Sequence, residues 1–391
     1  MNKGFSIWLD ALRAAAALAV LFGHMAHIRF TRGDYYFLRE INIASDAVIV
    51  FFVISGLVIA YAADRDGSAG RFAFNRVTRL WTVIVPALLL TMVFDAIGMH
   101  LDADAYPSPY YEPTGLMAFI GRGLTFSTEW SGLLDRVRLG TNGPLWSLSY
   151  EAAYYALFGV AVFCRGLVRI GLLALIALVA GIPILALLPA WALGVLVWRL
   201  VATGGAASIG RPMAFLLALG GPAILVLAKV ASLPNVLASL TATAFAPVSR
   251  HAILGYSDEV LWNTLLAICI AGHLAGMARL LHGTRIRGAA FGAGAIRWIA
   301  GASFSIYATH YPTLHLLDAV MPADLPAHDV LLLGLTLIVG LVFAQLFERP
   351  IKVYRQMALH AANARRLEPR LSRQGIPRDQ VRMVSGAGQL D

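Results

Sequence analysis

Apolar residues in this chain come in runs of about twenty, separated by short polar stretches that often carry arginine. A helix rises 1.5 Å per residue, so about 20 apolar residues cross the roughly 30 Å hydrocarbon layer of a bilayer. On that length, runs near 9–28, 44–63, 80–100, 146–164, 168–187, 189–203, 213–232, 260–281, 303–320 and 329–347 predict ten spans. The stretch 115–128 is shorter and more polar, and is predicted to be interfacial or re-entrant. The pattern predicts an all-α, polytopic integral membrane protein with about ten transmembrane helices.

Composition agrees with the pattern. Of 391 residues, 59% are hydrophobic and 14% charged, with a mean hydropathy of +0.70. Soluble domains carry about 25% charged residues. The placement of Lys and Arg sets the orientation. An even number of spans leaves both termini on one side, and if that side is the cytoplasm, 22 of the 31 Lys and Arg are internal, nine of them after Glu348. Eight lie outside, and Arg13 sits within the first span. External connections such as "LDADAYPSPYYEPTG" and "MPADLPAHD" are acidic instead. Both termini are thus expected in the cytoplasm, and the net charge of +9 reports topology, with no nucleic-acid role needed.

Other classes find little support. Asp10 and Arg13 interrupt the first apolar run and no small-x-small site follows it, so a cleaved signal peptide is not expected. Cys164 and Cys269 show neither CxxC nor zinc spacing, so neither a disulfide framework nor a metal site is expected. Residues 1–358 read as one transmembrane unit, and 359–391 as a basic cytoplasmic tail, polar with Gly and Pro and expected to be disordered. No internal repeat is visible, which weakens an inverted-repeat transporter reading.

The polar residues inside the spans hold the chemical interest, because each ionised group at mid-span costs about 2.5–3.5 kcal/mol on insertion scales. Arg13 and His24 lie eleven residues and close to three turns apart, so they share one helix face about 16 Å apart along the axis. Asp10, three residues before Arg13, reads either as part of that stripe or as a local ion-pair partner. In "GRFAFNRVTRLW", Arg76 and Arg79 are three apart and face one way on a helix. They read as positive-inside anchors or as a paired fork for a phosphate-bearing ligand. "NGPLWSLSYEAAYYALF" carries Asn142 and Glu151, the latter at about the depth of His24, where a His–carboxylate pair would suit general-base work. Glu151 as a structural group satisfied by backbone or by Asn142 is the other reading. "SFSIYATHYP" places His310 just before a kinking Pro312, and "LFERP" places Glu348 and Arg349 where the last span ends, a position for capping or an interfacial salt bridge.

Taken together, "LDALRAAAALAVLFGH", "FFVISGLVIA", "FNRVTRL", "LWSLSYEAAYYALF", "SFSIYATHYP" and "ERP" resemble the membrane-bound acyltransferase-3 family, which includes O-antigen and exopolysaccharide O-acetylases. The motifs occur in the family's order over roughly residues 8 to 350. Arg13, His24, Arg76, Arg79 and Glu151 fall on motif positions. Ala11 and Ala14 stand where the family often has Gly, and Ala152 where a second acidic residue is common. No SGNH-type domain is expected.

The resemblance implies acyl transfer, acetyl by default, from cytoplasmic acyl-CoA to a hydroxyl of an extracytoplasmic or membrane-borne glycan or glycolipid, in the inner membrane of a bacterium. Acyl-CoA is a co-substrate in this reading, and no bound cofactor is expected. Arg13, Arg76 and Arg79 would hold the donor phosphates. His24, oriented by Glu151, would activate the acceptor directly or carry the acyl group covalently. Asp10, Asn142, His310 and Glu348 are candidates for support. A transporter or channel, with the same ionisable groups forming a proton or substrate path, is the rival reading.

Overall fold

The computed structural model describes residues 1–283, 290–322 and 324–360. The expected disordered tail from 361 onward lies outside the described residues. Among those described, all regular structure is helical.

The main helices in chain order are α1 (Lys3–Met25), α2 (Ile43–Asp66), α3 (Ala69–Leu101), α4 (Leu116–Thr125), α5 (Trp146–Phe163), α6 (Gly166–Ala180), α7 (Ile182–Ala202), α8 (Arg211–Val230), α9 (Leu233–Phe245), α10 (Val260–Leu280), α11 (Ala290–Ala300), α12 (Ser303–Val320) and α13 (His328–Phe343). Seven stretches, α1, α2, α3, α7, α8, Arg250–Leu280 and His328–His360, are long and apolar enough to cross a membrane. Three further predicted spans correspond to α5, α6 and α12. Of these α6 is short, and α5 and α12 are diluted by Ser, Tyr, Thr and His, several of which line the cavities described below.

One predicted boundary moves. The break expected near residue 188 falls instead at Gly181, and Pro189 is absorbed inside α7. Gly181 has φ +84°, which a side chain tolerates poorly, and Pro183 opens the next helix where its missing N–H costs nothing. The expected span 80–100 is the distal part of a helix beginning at Ala69, whose N-terminus is capped by Ser68. Arg76 and Arg79 therefore belong to a continuous helix. The ten-residue α4 takes the place of the interfacial segment, and α9 forms where no span was predicted.

Helix α2 is the centre of the bundle, buried over most of its surface, whereas α8 is largely exposed. Exposed Leu167, Leu219 and Val230 give α6 and α8 the apolar outer faces that lipid requires. Close backbone approach between α2 and α7 rests on two glycines. A Cβ on Gly56 would lie 2.0 Å from the Trp191 carbonyl oxygen, and one on Gly194 would lie 1.9 Å from that of Val53. This small-residue crossing is what replaces hydrophobic driving force between helices in lipid. The main apolar core joins Phe52, Leu57, Ile84, Tyr154, Leu187 and Trp262. A second core, including Leu21, Met25, Phe30, Ile306 and Leu314, packs the end of α1 against α12.

Candidate active site

Two cavities lie between α1, α2 and α12. They share two lining residues, Val48 and Tyr307. The first, about 100 Å³, is lined by Arg13, Arg76, Arg79 and Glu151. The second, about 360 Å³, is lined by His24. Helix α1 runs past both, with Arg13 on one and His24 on the other.

The arginine cavity draws its charges from three helices. Arg13 on α1 reaches Ser303 Oγ at 3.4 Å and Asp10 Oδ1 at 3.8 Å, so the local ion pair expected for Asp10 is present. Arg76 on α3 is only 8% exposed and lies 3.9 Å from Asp66 Oδ2, with its guanidinium 5.8 Å from the Phe72 ring centroid. Its Nε is buried without a hydrogen-bond partner. Arg79, one turn further along α3, lines the same cavity and makes no side-chain hydrogen bond or ion pair among the described residues. Burying guanidinium groups with so little neutralisation is unfavourable unless an anion completes the site.

Glu151 faces this arginine cavity and not His24. Its Oε1 accepts from Ser55 Oγ at 2.6 Å and from the Tyr155 hydroxyl, and Trp191 Nε1 donates to the same Ser55 oxygen at 3.3 Å. The expected His24–Glu151 pair is therefore corrected. Similar depth on two helices did not bring the two side chains together, because α5 presents Glu151 toward α2 and α3.

The partner of His24 is His310, 1% exposed on α12. His24 Nδ1 and His310 Nε2 are 3.0 Å apart. His310 Nδ1 lies 2.7 Å from the Tyr307 carbonyl oxygen and 3.2 Å from that of Ile306. A carbonyl can only accept, so His310 carries its proton on Nδ1 and its Nε2 is the acceptor. The His24 Nδ1–H must then donate, leaving His24 Nε2 unprotonated at the cavity. A backbone carbonyl thus sets one tautomer, and that tautomer sets the next.

A proline inside α12 shapes this geometry. Pro312 supplies no N–H to the Ala308 carbonyl four residues earlier. Asn142 Nδ2 fills that vacancy at 2.9 Å and also donates to Thr91 Oγ1 at 2.9 Å, tying α3 to α12. Asn142 therefore holds the histidine helix and does not touch Glu151. Glu348, in a π-helical turn after α13, accepts from the Ser305 N–H at 2.8 Å, capping the first turn of α12. Arg349 donates to the Trp298 carbonyl at 3.0 Å.

Tyr307 was not singled out from the sequence. Its hydroxyl lies 2.6 Å from Ser147 Oγ and 2.5 Å from the Pro144 carbonyl oxygen, so it forms the wall between the cavities. The signal was present, since Tyr307 lies three residues before His310 and four after Ser303, on one helix face. Glu129 and Arg138 were also missed because they lie on the irregular segment 126–142, which has no periodicity to read.

A family model described as "Acyltransferase domain" matches residues 6–345. The chain is 30% identical over 154 residues to an O-acetyl transferase of Shigella phage Sf6, covering 39% of this chain and 45% of that protein. It is 30% identical over 165 residues to the acyltransferase MdmB of Streptomyces mycarofaciens, covering 38% of this chain and 37% of that one. The chain thus spans less than half the length of the curated relatives it matches. No solved structure gives a significant match. With the family model covering nearly the whole chain, this multi-pass helical protein belongs to the acyltransferase-3 family.

Proposed function

We propose that the protein is an integral-membrane O-acyltransferase moving an acyl group, acetyl by default, from cytoplasmic acyl-CoA to a hydroxyl of an extracytoplasmic or membrane-borne glycan or glycolipid. The observation that carries this reading is the pair of adjoining cavities, one holding three under-neutralised arginines and the other a histidine with a free Nε2. Phosphates of coenzyme A suit the first, since arginine forks bind phosphate oxygens bidentately. The rise of α1 from Arg13 to His24, about 16 Å, is comparable to the reach of a pantetheine arm.

In the transfer step His24 Nε2 takes the proton of the acceptor hydroxyl as its oxygen attacks the thioester carbonyl. The carbon–sulfur bond then breaks, and the coenzyme A thiolate recovers the proton from the imidazolium. His310 keeps His24 in the reactive tautomer throughout. Glu151 is assigned to the donor side, where its carboxylate balances the arginines through the Ser55–Tyr155 contact. An acyl-His24 intermediate would use the same lone pair, and acid quenching with mass spectrometry of the protein separates it from direct transfer.

Ten spans with both termini in the cytoplasm of a bacterial inner membrane fit the 22-to-8 distribution of Lys and Arg and put the arginine cavity on the donor side. The test uses purified protein in detergent with labelled acetyl-CoA. His24→Ala should lower transfer or hydrolysis per folded molecule by about 10²–10⁴ while acetyl-CoA affinity stays unchanged. Wild-type turnover in His24→Ala would sink the reading. A reporter fused after residue 360 should read cytoplasmic and one within 101–114 external.

A further inference from the structure

The histidine cavity carries two cationic groups that acyl transfer itself does not use. Arg39 and Arg138 both line it. Its two carboxylates are already engaged. Asp258 lies 3.7 Å from Arg250 Nε and 3.5 Å from His251 Nδ1, and Glu259 accepts from Asn42 Nδ2 at 2.7 Å. Neither the Arg39 nor the Arg138 guanidinium has a hydrogen bond or a carboxylate within ion-pair distance among the described residues. Arg138 Nε is buried and unpartnered.

The Arg138 guanidinium lies against the backbone of Gly143, where a Cβ would stand 2.5 Å from Nη2 and 2.7 Å from Cζ. Any side chain at 143 would push it away. Trp146 and Tyr256, stacked with centroids 4.4 Å apart and planes within 6°, form an adjoining aromatic wall that also lines the cavity. An under-neutralised arginine that shares a cavity with a second one and an aromatic wall is suited to an anion attached to a partly apolar body.

We propose that the acceptor is an anionic sugar, and that Arg138 and Arg39 bind a carboxylate or phosphate group on it beside the hydroxyl presented to His24. This rests on the acyltransferase reading for the identity of the ligand as acceptor. The cation pair selects charged over neutral sugars and fixes which hydroxyl approaches Nε2. Arg138 and Arg39 act as specificity-determining residues, while His24 performs the chemistry.

The test measures binding to the purified full chain in detergent with three probes: maltotriose, maltotriose bearing one phosphate, and trigalacturonate. At least one anionic probe should bind ten-fold or more tightly than maltotriose. Arg39→Gln with Arg138→Gln should reduce it to the maltotriose level, and Arg138→Lys should restore only part, because an ammonium lacks the planar fork. A gain for the phosphate probe alone assigns a phosphate-bearing acceptor, and a gain for trigalacturonate alone assigns a uronate. Equal affinity for all three probes, binding of none, or a gain that survives in the double variant overturns the proposal. Acetyl-CoA affinity measured on the same samples verifies that the variants are folded. Loss of acetyl-CoA binding in wild-type protein that still discriminates the anionic probes would refute the acyltransferase reading and leave this one standing.

Discussion

Replacing His310 by Ala tests the proton chain directly. The substitution removes the hydrogen bond from His24 Nδ1–H to His310 Nε2 at 3.0 Å, and with it the link to the Tyr307 carbonyl at 2.7 Å. A hydrogen bond between neutral groups contributes a net of about 0.5–1.5 kcal/mol. Since about 1.4 kcal/mol corresponds to a factor of ten, the reactive tautomer of His24 should lose roughly two- to twelve-fold in population. The expected fall in kcat per folded molecule is of that size, well short of the roughly 10²–10⁴ expected for His24→Ala. Acetyl-CoA affinity should not change, because His310 does not line the arginine cavity. His310→Gln provides the control, since its amide oxygen can accept from His24 Nδ1–H and should recover part of the rate. The assay is single-turnover acetyl transfer on detergent-purified protein, with the folded fraction measured by size-exclusion chromatography. A purely structural His310 would lower folded yield and leave turnover per folded molecule at the wild-type value. That outcome, or His310→Gln as impaired as His310→Ala, would refute the tautomer argument.

Three further outcomes are expected. Arg76→Ala with Arg79→Ala should weaken acetyl-CoA binding by about 10² or more, since charge-assisted hydrogen bonds contribute about 1.5–3 kcal/mol each; the double Lys variant should recover part, and calorimetric titration showing wild-type affinity in the Ala variant would leave these arginines as topology anchors only. Glu129, 6% exposed on the segment between α4 and α5, has its carboxyl pushed up to about 7 by burial. Its folded form holds a proton that the unfolded chain releases near 4.5, so this contribution to stability should be fully present below about pH 4.5 and fall as pH rises toward 7; Glu129→Gln should remove that pH dependence, which amounts to up to about 3 kcal/mol of unfolding free energy, and an unchanged pH profile would count against it. Gly194→Val should lower Tm sharply and more than Gly220→Val, because at Gly194 a Cβ meets the Val53 carbonyl at 1.9 Å whereas at Gly220 the nearest atom is a Leu216 methyl at 3.7 Å.

The sequence alone determined the helical, membrane-spanning class and the stripe of Arg13 and His24 on one helix. It also determined the Arg76/Arg79 fork and the family resemblance. Each of these follows from local periodicity, because hydrogen bonds within a helix and the need to bury its backbone in lipid are satisfied along a single segment. The span expected to end at 187 ends at Ala180, because Gly181 takes a positive φ there. What only the tertiary structure decided is which polar side chains meet. His24 and Glu151 share a depth, yet the rotation of α5 about its axis gives Glu151 to Ser55 and Tyr155, and the packing of α12 against α1 brings His310 to His24. Helix rotation is set by packing contacts such as the Gly56–Gly194 crossing, which lie 138 residues apart in the chain and leave no local trace. The same holds for Arg138, whose position depends on the absence of a side chain at Gly143 and on an irregular segment with no repeat to read.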